Sequence, residues 1–263
     1  MTIVTLFFAF IFGAALGSFA LVVADRYRVK SFWGGRSQCM SCAKELTWKE
    51  NIPVISYLAQ RGKCKGCKSK YSSTYLWVEL FAGLSVSALV LTLQNLTANT
   101  NYQLGLLMFF SVLIVLSVIV IIYDLRHTVV PLEAVTIMLG MGIVATIFRQ
   151  YINGFNIFDF MSGIIVALPF AFLHLVSRGR WVGAGDILVY AAFGFIFGLP
   201  IATSGFFYSV WIGAFVSLAL LFLHKKDYNL KSEIPFAPFI ILGMFLAFFT
   251  SADILGLHEI LYL

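Results

Sequence analysis

Charge is nearly missing from this sequence. Its 263 residues include 18 Lys and Arg and 12 Asp and Glu, 11% of the chain, while 60% are hydrophobic and the mean hydropathy is +0.93. A soluble domain carries about a quarter of its residues as charges. That excludes a water-soluble fold of one or two domains and implies a polytopic membrane protein. Cysteine is scarce too, and the four that exist all fall between positions 39 and 67. No basic residue precedes the first apolar run, "MTIVTLFF", so it lacks the basic start of a cleaved secretory signal and reads as a retained span. The loop "QNLTANTNYQ" has no charge at all. The basic residues interleave with the cysteines and not with a groove-reading motif, which speaks against nucleic acid as a partner.

What is present is a series of long apolar runs. They centre on 3–24, 77–93, 104–123, 130–148, 159–177, 187–203, 205–223 and 236–254. A span needs about 20 apolar residues, so the runs predict an all-α polytopic membrane protein with about eight transmembrane helices. Starting outside and alternating through eight spans puts 17 of the 18 Lys and Arg on the cytoplasmic side, Arg149 being the exception. Loops of membrane proteins follow that bias. The net charge of +6 therefore reports orientation and a preference for anionic membrane lipid. The organisation read from this is a first helix over 1–24, a cytoplasmic segment over 25–75 and a seven-helix membrane core over 76–263.

Two acids stand out against this background. Asp124 closes the third apolar run in "VIIYDLRH", and Asp186 opens the sixth in "VGAGDIL". Both fall at predicted cytoplasmic ends. Acids at the edge of a span are expensive to keep there and default to a functional hypothesis. The plainer account makes each a solvated helix-end residue, with Asp186 favoured near a helix N-terminus and Asp124 paired with Arg126. Gly183 and Gly185 favour the functional account, since glycines beside an acid let another backbone, such as an extended substrate, come close. Two adjacent carboxylates cannot easily both ionise, so one takes a proton from water while the other protonates a carbonyl. That chemistry is peptide hydrolysis without a covalent intermediate. "GLS" at Gly83–Ser85 is too short to argue for a serine nucleophile, and His127, His174, His224 and His258 show no ligand spacing.

The cysteines form two knuckles, "CMSC" at Cys39 and Cys42 and "CKGC" at Cys64 and Cys67, with 21 residues between them. Four thiolates at this spacing suit one tetrahedral zinc. Disulfides are the competing account, and a reducing cytoplasmic face disfavours them. Four protein ligands leave no open position for water, so the zinc is read as structural, a staple for about 50 polar residues that could barely build a core.

Together these stretches resemble the type IV prepilin leader peptidases, bacterial aspartyl membrane proteases with a Gly-x-Gly-Asp motif. The likeness rests on "GAALGSFALVVADR", "RSQCMSC", "LTWKENIPVISYLAQRGKCKGC", "WVEL", "YDLRHTVVP", "VGAGD" and "IPFAPFIILG". It implies Asp124 and Asp186 as the catalytic pair and prepilins or pseudopilins as substrates. It also implies location in the bacterial inner membrane, with cleavage of a short basic leader at the cytoplasmic face. Many relatives also N-methylate the new terminus with S-adenosylmethionine, so a methyltransferase activity is implied. The chain has no glycine-rich nucleotide fingerprint, and the methyl donor's site is unassigned. Met40, Leu76, Leu132 and Leu188 depart from the family pattern, Leu188 taking a positive charge away from beside the second acid. A presenilin-like protease shares the two acid motifs but should lack the four cysteines. A proton-coupled transporter would place its acids nearer mid-membrane, within broken helices.

Overall fold

A computed structural model describes residues 3–27, 37–39, 41–96, 100–223 and 234–261; Met40 and His224 lie outside the described residues. The described chain is helical throughout, its only extended pairings being two isolated bridges, Gln38 with Glu45 and Lys63 with Lys70. The helices are α1 (Ile3–Arg26), α2 (Ile55–Ala59), α3 (Thr74–Leu96), α4 (Thr100–His127), α5 (Leu132–Asn153), α6 (Ile157–Phe160), α7 (Ser162–Ser177), α8 (Ala184–Phe197), α9 (Leu199–Leu223), α10 (Ala237–Thr250) and α11 (Leu257–Leu261). A 3₁₀ turn covers Trp48–Glu50.

Each of the eight apolar runs becomes a helix, but among the described residues five, α1, α3, α4, α5 and α9, are long and apolar enough to cross a bilayer. The other three, α7, α8 and α10, have 16, 14 and 14 residues. At 1.5 Å per residue they run about 21–24 Å, short of a hydrocarbon layer about 30 Å thick. Eight full spans are therefore not what the helix lengths give. For α7 the reason is local. Hydrogen bonds of 2.9 Å from Met161 N–H to Ile157 and from Ile165 N–H to Met161 carry the backbone pattern from α6 into α7, so the two nearly join. For α8 the boundary lies earlier than the sequence suggests. Gly198 adopts φ +79 and stops the helix, and Pro200 sits in the first turn of α9, where it needs no donor.

The chain divides into two compact units, Met1–Ile119 and Val120–Leu263. In the first, α1 and α3 pack antiparallel through small residues. A Cβ on Gly13 would fall 2.5 Å from the Ala82 carbonyl oxygen, and one on Gly17 would fall 2.8 Å from the Ala82 Cβ. Backbones that close gain dispersion contacts and weak polar ones that lipid cannot replace. At one end of the pair, the Tyr75 hydroxyl donates to Asp25 at 2.9 Å.

In the second unit α8 is the central rod, packed against α5, α7, α9 and α10. Val189, Tyr190, Ala192 and Phe193 are fully buried. Gly194 meets Gly163 of α7 so closely that a Cβ would lie 2.6 Å from the Gly163 Cα. Both ends of this short rod lie among polar groups. At its C-terminus the Arg149 guanidinium donates to the carbonyls of Ile196 (2.7 Å) and Phe195 (3.0 Å). The same guanidinium holds Asp159 by two bonds of 3.1 Å. Helix-end carbonyls lack partners of their own, and a cation is favoured there. Arg149, the one residue to break the charge bias of the loops, is thus a capping, ion-paired group and not a free loop charge.

Arg149→Ala leaves Asp159, with its side chain only 5% exposed, without its cation. Removing one partner of a buried pair destabilises by about 3–5 kcal/mol, so unfolding in detergent should move by that much. Arg149→Lys should recover only part of it, lacking the planar fork. A loss within the roughly 0.5 kcal/mol typical of surface changes would contradict the capping role.

Candidate active site and metal centre

Asp124 lies in the last turn of α4. Thr128 ends that helix in a left-handed conformation (φ 52), its N–H donating to the Asp124 carbonyl at 2.8 Å. Asp124 is 4% exposed, and its Oδ2 accepts the backbone N–H of Ala237 at 3.1 Å. Ala237 is the first residue of α10, so the carboxylate takes one of that helix's unpaired donors. This explains "IPFAPF": Pro238 follows in the first turn, and the N–H just before it belongs to Asp124.

Asp186 lies in the first turn of α8, half-buried, with its carboxylate turned back toward the backbone N–H of Gly183, the helix N-cap. The two acids are linked through neighbouring residues: Ala237, which donates to Asp124, directly follows Phe236, which lines the same cleft as Asp186. Beside Asp186 opens a cleft of about 420 Å³ lined by Phe170, Trp181, Val182, Phe236, Phe239 and other largely apolar residues, with Asp186 the one charged group among the described residues that line it. Phe236 stacks on Phe170 at 5.4 Å between ring centroids. The cleft wall and the contact to Asp124 therefore come from consecutive residues, Phe236 and Ala237.

Tyr190, which packs on Phe170 of the cleft wall at 4.7 Å, shares a hydrogen bond with Ser209, and Ser209 donates onward to the Phe206 carbonyl at 2.7 Å. An acid that meets water on one side and apolar walls on the other can exchange protons with a peptide bond held between them.

The two glycines before Asp186 do different things. A Cβ on Gly185 would fall 2.6 Å from the Val130 Cβ, whereas one on Gly183 would meet only the Asp186 carboxylate, at 3.4 Å. Neither glycine has a positive φ. At Gly185 the close approach is made by the Val130 side chain, in the segment after α4. Gly185 thus lets the segment that follows Asp124 seat against the helix that carries Asp186.

The four cysteines are free thiols whose sulfurs all lie within 4.8 Å of one another. Cys39 and Cys67 are 3.8 Å apart and Cys42 and Cys64 4.0 Å. Metal–sulfur bonds of about 2.3 Å give a tetrahedron with edges of about 3.8 Å, so the donor set fits one metal ion. The knuckles repeat each other. Cys39 N–H bonds the Lys44 carbonyl and Cys64 N–H the Ser69 carbonyl, both at 2.9 Å. Ala43 and Lys68, each four residues after the first cysteine of its knuckle, take left-handed φ values of 54 and 61. Backbone N–H groups of Ser41 and Cys42 pull the Cys39 thiol down to about 6, and those of Cys67 and Gly66 pull Cys64 down, whereas at Cys42 the pull of the Lys44 N–H is outweighed by the neighbouring cysteines and burial, which push that thiol up to about 11. Thiolates are the metal-binding form. The Thr47 N–H and hydroxyl, both 2.9 Å from Glu50, hold that carboxyl down to about 2 and brace the segment between the knuckles.

Two polar groups find definite partners in the fold, of which sequence reasoning missed the second, Glu79. His174 donates from Nδ1 to the Val182 carbonyl at 2.7 Å, strapping the loop before Asp186 to α7; a carbonyl only accepts, so Nδ1 carries the proton. Glu79, within α3 and 6% exposed, accepts the N–H of Val54 at 2.7 Å. An acid inside "YLWVELFAG" is a signal that its depth alone should raise.

Residues 11–93 match the Bacterial Peptidase A24 N-terminal domain, and residues 107–218 match the Type IV leader peptidase family. Among curated proteins, the chain is 29% identical to a Prepilin leader peptidase/N-methyltransferase of Bacillus subtilis over 95% of this chain and 96% of that one. A protein of the same name from Vibrio cholerae is 27% identical over 89% and 92%, and one from Myxococcus xanthus 33% identical over 71% and 54%. No solved structure matches the chain significantly.

The two glycines should respond unequally to a methyl group. Gly185→Ala forces Val130 away and should destabilise by about 1–3 kcal/mol, the range for overpacking, read as a lower unfolding temperature in detergent. Gly183→Ala should leave it nearly unchanged. Equal effects would contradict the contact with Val130.

Proposed function

The chain belongs to the type IV leader peptidase family, and on that premise we propose that it cuts the short basic leader from type IV prepilins or pseudopilins with Asp124 and Asp186. Cleavage takes place at the cytoplasmic face of the bacterial inner membrane. The observation that supports this reading is an apolar cleft lined by Asp186 and Phe236, with Asp124 held by the next residue, Ala237. A precursor whose apolar helix stays in the bilayer and whose leader stays outside it presents the scissile bond at such a boundary.

In the reaction one carboxylate is ionised and the other protonated. The ionised one removes a proton from water as the water oxygen attacks the scissile carbonyl, and the neutral one protonates the carbonyl oxygen. Breakdown of the resulting gem-diol returns a proton to the leaving nitrogen and frees both products. The four cysteines hold a structural zinc, which supplies folding energy to its segment and takes no part in bond cleavage. The relatives' names also include N-methyltransferase. We carry this to the chain as a second activity, for which S-adenosylmethionine would supply the methyl group: its sulfur–methyl bond would break as the new N-terminal amine gains the methyl, leaving S-adenosylhomocysteine and a proton.

The test is leader release from a pilin precursor in membranes, with the cut mapped by mass spectrometry and zinc content matched, at about one per chain, between variants. Asp124→Asn and Asp186→Asn keep shape but cannot exchange the proton. Each should lower cleavage by orders of magnitude, with the double variant little worse. Methylation of an already cleaved pilin should survive both. Near-normal cleavage by either single variant removes that acid from the mechanism.

A further inference from the structure

The segment between the two cysteine pairs is tied to a membrane helix at a definite depth. Val54, the N-cap of α2, donates its N–H to Glu79 of α3 at 2.7 Å. The Asp25–Tyr75 bond, 2.9 Å, joins the end of α1 to the start of α3. Glu79 lies four residues further along α3, about 6 Å deeper at 1.5 Å per residue. The N-terminal end of α2 is therefore held at a level inside the span that begins at Thr74. Val54 takes φ 62 and ψ −54 to make this contact, a conformation that a β-branched residue resists.

At that level α2 turns apolar side chains outward. Ile55 and Leu58, three apart and on one helical face, are 62% and 60% exposed; Trp77 of α3 is 66% exposed and Trp48 73%. Around them positive charge predominates. Residues 43–70 hold seven Lys and Arg against two acids, and one of those acids, Glu50, is already paired with Lys44 at 3.1 Å. The Lys49 ammonium lies 5.3 Å from the Trp48 ring. Apolar side chains with a tryptophan and a basic rim match the boundary between acyl chains and anionic headgroups.

We propose that Trp48, Ile55 and Leu58 form a lipid-binding surface that rests in the headgroup boundary of the leaflet entered by α1 and α3, with anionic phospholipid as its occupant. The four-cysteine site closes the base of this loop, and Glu79 fixes its tip. A protein partner would have to displace lipid from a surface already tied below the start of a span.

The experiment uses the full-length, zinc-loaded protein in vesicles of phosphatidylethanolamine and phosphatidylglycerol. A trace phospholipid carries a diazirine near its acyl carbonyl, and adducts are mapped by mass spectrometry after irradiation. Adducts are expected on Trp48, Ile55 or Leu58 as well as on Trp77, which serves as the internal standard for the boundary. Those on Trp48 should fall several-fold in phosphatidylcholine alone. Labelling of Trp77 with none on 48–58 would overturn the proposal. So would labelling of 48–58 that a pilin precursor abolishes, which would give the surface to the substrate, or labelling indifferent to headgroup charge.

Discussion

A hydrocarbon layer offers no water to a polar group, so each one kept near it needs a partner within the protein. The structure is arranged around this constraint. Asp124 takes the N–H of Ala237, Arg149 takes Asp159 and two helix-end carbonyls, Tyr190 takes Ser209, and Glu79 takes the N–H of Val54. Several of these partners are unpaired groups at helix ends. Helix termini inside or near the membrane thus become the sites at which charged side chains are held.

The short helix α8 shows what this accomplishes. A rod of 14 residues cannot cross the layer unaided, yet both its ends are satisfied, by Arg149 at one and by the Gly183–Asp186 turn at the other. Its glycines let α7 and the Val130 segment approach closely. Asp186 is consequently placed by a rigid helix with a buried core-facing run, and Asp124 by the junction of α4 with α10. The proposed proton exchange with a bound peptide rests on this placement of the two acids by separate elements, Asp186 in the cleft and Asp124 on the residue next to its wall.

Much of this is legible in the sequence, for physical reasons that differ from part to part. The apolar runs mark eight helices because burial in lipid leaves a long uniform signal. The knuckles mark the metal-fitting cluster because ligand spacing is local. Helix lengths are less legible. "FGLP" at Phe197–Pro200 carries a glycine stop and a proline start, but both are submerged in a 37-residue run without charge, Ile187 to Leu223, so the sequence puts the break several residues late. Arg149 reads as a stray loop charge because its partners, Asp159 and the α8 carbonyls, are 10 and 46–47 residues away. The role of Gly185 is open in the same way: the sequence shows that something comes close, and only the fold shows that it is Val130.

The central claim is that Asp124 and Asp186 work as one unit holding a single proton. The most direct measurement is the rate of leader release from a pilin precursor against pH, over the range in which the protein stays folded. A unit that needs one ionised and one protonated carboxyl gives a rate that falls on both sides of a single maximum. A rate that only rises or only falls across that range would contradict the shared proton and with it the paired-acid account.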